Sequence, residues 1–166
     1  MDDEKLSAQA LGKRHIVEGL DRAFARLHLR SCRIIERTPD EDVYKASAAP
    51  PIGESVLRCA AVVEQTFGGI TANLWDDPFE WTLPEHLTTP AKIIEHLEEV
   101  EATRTRAFVS FTDDECLIKH IATPADETQR LIDLLLETLA RAASYQGQAA
   151  AHLKIVSRSD MPGFII

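Results

Sequence analysis

The sequence predicts an all-α fold, an antiparallel four-helix bundle with long connections, on three observations. Apolar residues recur every three or four positions in four separate stretches, proline-bearing segments part those stretches, and no alternating run of strand length competes with them. The composition agrees: 166 residues with 45% hydrophobic and 27% charged side chains, 7 glycines and 8 prolines suit one ordinary globular domain. That domain is expected to span 1–166, with its core at about 8–156 and a C-terminal tail over 157–166.

Helix one is expected over about residues 7–37. Ile16, Leu20, Phe24, Leu27, Ser31 and Ile34 share one face, while Arg22, Arg26, Arg30, Arg33 and Arg37 lie on the opposite one. Thr38-Pro39-Asp40 ends the pattern, and residues 44–52 read as a crossover loop, because Pro50-Pro51 withholds two backbone donors. Helix two follows Gly53 and runs to about Phe67, turning Val56, Cys59, Ala60, Val63 and Phe67 inward, with Gly68-Gly69 as its stop. No period holds over residues 70–90, a connection that carries both tryptophans, Trp75 and Trp81.

Thr89-Pro90 is a cap followed by a first-turn proline, and Ile93, Leu97, Val100, Arg104, Ala107 and Phe111 mark the inward seam of helix three. Residues 112–115 close that helix, and the short apolar segment 116–122 has no assigned form. Thr123-Pro124-Ala125-Asp126 reads as the start of helix four, whose seam is Leu131, Leu135, Thr138, Ala142, Tyr145, Ala149, His152 and Val156. Gly147 sits inside it at a cost of about 1 kcal/mol relative to alanine, which usually has a packing or functional reason.

A net charge of −9 opposes attraction of the whole chain to nucleic acid or to anionic lipid, so neither is expected as a partner. The start is acidic, and no apolar run reaches the roughly 20 residues of a membrane span, which makes the cytoplasm the expected compartment. Three scattered cysteines, Cys32, Cys59 and Cys116, form no disulfide framework or metal knuckle and are expected as reduced thiols.

A metal site on helices needs inward ligands three or four residues apart, and none of the six histidines is seen to form such a pair. No cofactor is therefore expected. Cys59 is the one thiol on a predicted inward face, read first as a buried inert cysteine and second as a nucleophile. Glu64, Glu101 and Glu137 are candidate acid or base groups whose plainer reading is a solvated helix face. The arginines of helix one read chiefly as a solvated face with intrahelical ion pairs, and secondarily as a dock for an acidic partner.

The segment Arg141-Ala142-Ala143-Ser144-Tyr145-Gln146-Gly147-Gln148 resembles the HxxHHRGQ signature that ends the DinB/YfiT-like bundle, with the Gly-Gln pair kept. Upstream, residues 51–64 are similar to that family's second helix, with Cys59 where a histidine normally stands. Residues 111–117 are similar to its turn after helix three, so the resemblance spans about residues 11–156. In that family three histidines, one on the second helix and two on the last, hold a divalent metal such as zinc or nickel.

The corresponding positions here are Cys59, Arg141 and Tyr145. A permanently charged guanidinium has no lone pair to offer a metal, so the resemblance implies ancestry in metal-dependent thiol transferases without their centre. Its plainer implication is that Arg141 and Tyr145 fill the vacated site with packing and hydrogen bonds; its sharper one is a pocket at Cys59, Arg141, Tyr145 and Gln148 able to receive a small anion, and it implies a homodimer. The function expected is a small-ligand-binding or interaction role. The alternative is a transferase or hydrolase that uses a divalent transition metal, such as zinc or nickel, or the Cys59 thiol.

Overall fold

The computed structural model describes residues 13–45, 49–80, 85–124 and 127–157. Four long helices carry the fold: α1 His15–Glu36, α2 Ile52–Ala72, α3 Pro90–Ser110 and α4 Leu131–Ser157. A small hairpin, β1 His120–Ala122 and β2 Thr128–Arg130, stands between α3 and α4. No described helix is long and apolar enough to cross a membrane.

Helix α1 buries Val17, Leu20, Phe24, Leu27, Ser31 and Ile34 along one stripe. Ile16, expected in that stripe, is half exposed, and Val17 takes the place. Both side chains suit the first turn, so apolar character alone does not choose between them. Arg14 at the N-cap makes no side-chain cap bond; instead Asp114, from the 3-10 turn after α3, accepts the amides of Ile16 and Val17 at 3.0 Å. Desolvation works against the Asp114 charge, but the amides of Val17 and Ile16 outweigh it and hold the carboxyl below its ordinary range.

Helix α2 extends past its expected stop. Neither Gly68 nor Gly69 adopts positive φ; Asn73 takes the left-handed conformation at φ 55° and closes the helix through bonds from its own and the next amide to Gly69 and Gly68. Gly69 is needed for close approach instead, since a Cβ there would overlap the indole ring of Trp75. Trp75 is fixed further by its carbonyl, which accepts Gln65 Nε2 at 2.7 Å. Trp81, the other tryptophan of this connection, lies outside the described residues.

Helix α3 begins as expected, with Thr89 Oγ1 accepting the Lys92 amide and Pro90 in the first turn. Helix α4 does not begin at Thr123. Its first residue is Leu131, and the Thr-Pro pair serves the hairpin turn, where Thr123 bonds the Glu127 carbonyl through both its amide and its hydroxyl. Register pairs His120 with Arg130, Ile121 with Gln129 and Ala122 with Thr128. Three-residue strands with one half-buried side chain each give almost no periodic signal, which is why this segment had no assigned form.

Each of α1 and α2 packs against α3 and α4, most extensively α2 against α4, while α1 and α2 meet only slightly. All four helices contribute to one contiguous hydrophobic core. An aromatic cluster ties three of them: Phe24 of α1 lies 5.2 Å from Phe67 of α2 and 5.8 Å from Phe108 of α3, with Phe111 edge-on beyond. Arg104 occupies a seam position of α3 as its spacing predicts, 3% exposed, ion-paired to Asp21 and Glu101 and set over the Phe108 ring. Burial disfavours its charge, yet the two carboxylates outweigh that cost and raise its pKa.

Candidate functional site

Cys59 stands in the middle of α2, 2% exposed, with Sγ 3.8 Å from Ser31 Oγ of α1. Gln146 of α4 donates through Nε2 to that same hydroxyl at 2.8 Å and to the Leu27 carbonyl at 2.6 Å. Cys59, Ser31 and Gln146 therefore form a buried polar knot where α1, α2 and α4 meet. A cavity of about 20 Å³ adjoins it, bordered also by His28, Glu101 and Arg104, with room for one water. Burial pushes the Cys59 thiol up to about 12, against a smaller opposing effect of the Ser31 hydrogen bond, so the group is a protonated thiol at neutral pH.

Arg141 and Tyr145 lie one turn apart on a different face of α4. The inward stripe there runs Ala142, Gln146, Ala149 and Leu153, all buried, whereas Arg141 is exposed and Tyr145 half-buried. Both border a cleft against α2 with Arg58, Gln65, Asp77 and Phe79. Arg58 is held in place, its guanidinium 4.0 Å above the Phe79 ring and bonded to Glu54 Oε1 at 3.0 Å. Asp77 accepts the Phe79 amide at 2.9 Å, which engages its carboxylate. The cleft holds about 30 Å³. A wider polar cleft of about 310 Å³ shares Gln65 and Arg141 with it and extends to Trp75, Glu127 and Glu137.

The four residues expected at one pocket are thus not brought to one place. Arg141 and Tyr145 share a cleft, Cys59 lines an inner cavity on the other side of α2, and Gln148 is exposed on α4. The reason lies in α2, whose side chains from Val56 to Val63 are nearly all buried. Burial of Cys59 therefore does not reveal which neighbour it faces.

Gln146, not Gln148, is the glutamine that enters the interior, and the signal for it was present: positions 142, 146, 149 and 153 alternate by four and three. Cys59 is not alone in turning inward, since Cys32 and Cys116 are buried as well. Among the acid and base candidates, Glu64 pairs with His96 Nε2 at 3.5 Å, Glu101 with Arg104, and Glu137 accepts a bond from Gln129. His152, read as structural, is buried and bonds the Pro50 carbonyl through Nδ1 at 2.9 Å.

Comparison with the profiles of known protein families, with curated protein sequences and with solved structures returned no match.

Proposed function

We propose that this chain is a cytoplasmic, DinB/YfiT-like antiparallel four-helix bundle that does without the family's metal centre, a reading supported by the divergence of the three matched positions, Cys59, Arg141 and Tyr145. Its role is then to bind a small anionic ligand in the cleft between α2 and α4. One observation carries the reading. Arg141 meets Arg58 and Tyr145 in that cleft, and among the described residues no carboxylate pairs with Arg141.

The chemistry follows from those groups. A guanidinium presents two parallel donors to a carboxylate or phosphate, and a tyrosine hydroxyl adds a third from the side. Of the nearby acids, Glu54 is paired with Arg58 and Asp77 accepts a backbone amide, while Glu127 and Glu137 border the wider cleft beside Arg141. The small volume suits one anionic group, with any remaining part of the ligand lying along the wider cleft toward Trp75. Support for the bundle topology comes from the packing, in which α1 and α2 stand diagonally and each is flanked by α3 and α4. The homodimer implied by the resemblance belongs to the same reading and is checked by sedimentation equilibrium.

The alternative, a metal- or thiol-dependent transferase or hydrolase, requires Cys59 ionised and reachable, whereas burial holds it protonated. Calorimetric titration with inorganic phosphate and separately with citrate tests the proposal. Binding weakened about tenfold or more by Arg141→Ala, about 1.4 kcal/mol, supports it. Equal binding by the variant, or none by the wild type to either anion, overturns it.

A further inference from the structure

A second cluster of chemically capable groups lies away from that cleft, on the seam between α1 and α3. Helix α1 places His28 and Cys32 one turn apart, so both project toward the same side. Cys32 Sγ is 3.7 Å from His28 Nε2, and Glu98 of α3 brings Oε1 to 3.3 Å from that same nitrogen. The three ligand atoms all lie within 4.8 Å of one another. We propose that His28, Cys32 and Glu98 form a site for a zinc-like divalent ion.

Distances around a small tetrahedral ion favour this. With metal bonds of about 2.3 Å to sulfur and about 2.0–2.2 Å to nitrogen and oxygen, neighbouring ligand atoms stand about 3.3–3.6 Å apart. The imidazole–carboxylate separation of 3.3 Å matches that spacing, the imidazole–thiol separation of 3.7 Å is slightly longer, and with all three atoms within 4.8 Å the ligands must draw together to close on an ion. The donor set is one sulfur, one nitrogen and one oxygen, which suits a borderline ion such as zinc or cobalt(II) over magnesium or calcium. Three protein ligands leave the fourth position to water.

Charge around the site also favours a cation. Burial, and after it the charges of Glu98, Glu36 and Glu101, push the Cys32 thiol up to about 11, and the same three carboxylates attract a cation. Arg104, a buried cation nearby, is matched by Asp21 and Glu101. Cys32 coordinates as the thiolate, releasing one proton to solvent as the ion binds. Ligands contributed by two helices make the ion a cross-link between α1 and α3.

The full-length reduced protein, titrated with cobalt(II), tests this assignment. The expected result is one cobalt per chain with a near-ultraviolet thiolate-to-cobalt absorption band, displaced by zinc. Cys32→Ser abolishes the band, and Cys59→Ser keeps it. Glu98→Gln, at an exposed position, leaves the fold intact and weakens zinc affinity at least by the about tenfold known for outer-shell partners. Absence of the band in the wild type, its survival in Cys32→Ser, or unchanged zinc affinity in Glu98→Gln overturns the proposal. None of these readouts involves Arg141, so failure here and failure of the anion cleft are told apart.

Discussion

The side-chain amide of Gln146 reaches Ser31 Oγ at 2.8 Å, joining α4 to α1 through two buried groups. Its second bond, to the Leu27 carbonyl, spends the other amide hydrogen on the same helix. Truncation would strand a buried hydroxyl and open a space. Gln146→Ala is expected to lower unfolding free energy by about 1–3 kcal/mol in urea denaturation. Gln148→Ala, at an exposed site two residues on, should stay within about 0.5 kcal/mol of wild type.

Arg104 is a charge on an apolar seam, kept there by Asp21 and Glu101. Because Glu101 is itself largely buried, removing the guanidinium leaves an uncompensated carboxylate inside. Arg104→Ala is expected to cost about 3 kcal/mol of stability, and Arg104→Lys to recover only part, since an ammonium cannot span both acids in one plane. Chemical denaturation of the two variants measures the difference.

Glu64 gives a pH signature. Burial raises its folded pKa above 4.5, with His96 opposing and Glu99 adding to the rise. A raised carboxyl pKa means that the folded state holds the proton more tightly than the unfolded one. Its contribution is therefore favourable below about pH 4.5 and is lost as pH rises through the folded pKa. Relative to Glu64→Gln, the wild type should lose stability on going from acid to neutral pH. Paired denaturation curves at about pH 4.5 and about pH 7.5 reveal this; a wild type that gains on the variant over that interval contradicts it.

The glycines separate cleanly. At Gly147 a Cβ would meet nothing within 4 Å, so Gly147→Ala should raise stability by about 0.5–1 kcal/mol through helix propensity. At Gly53 a Cβ would stand 2.7 Å from Val43 Cγ1 and 2.8 Å from Tyr44 Cε1, so Gly53→Ala should lower the melting temperature. Thermal unfolding of both variants checks the opposite signs.

Much of the fold was legible because long helices repeat their pattern many times. The seam of α3 from Ile93 to Ala107, including Arg104, and the cap at Thr89-Pro90 follow directly from spacing, whereas Phe111, expected on that seam, lies just past the helix end and Phe108 completes it. Short-range chemistry was less legible. The end of α2 was decided by Asn73, the start of α4 by a hairpin of three-residue strands, and the start of α1 by an acid 98 residues away. The site suffered most, because an α2 buried on nearly every side carries no marker of which helix each residue meets. His28 and Cys32, four residues apart on α1, carried the spacing of a ligand pair, but only the placement of Glu98 across the seam gives that spacing a partner.

The Arg141 cleft, apart from the inner knot at Cys59, is the point on which the functional reading turns, and nuclear magnetic resonance of the isotope-labelled protein titrated with inorganic phosphate tests anion binding there directly. The account predicts that the Arg141 Nε–H and Tyr145 ring signals shift in a saturable way, while those of Cys59, Ser31 and Gln146 stay in place. Shifts confined to the inner knot, or none at Arg141 under saturating phosphate, would contradict it.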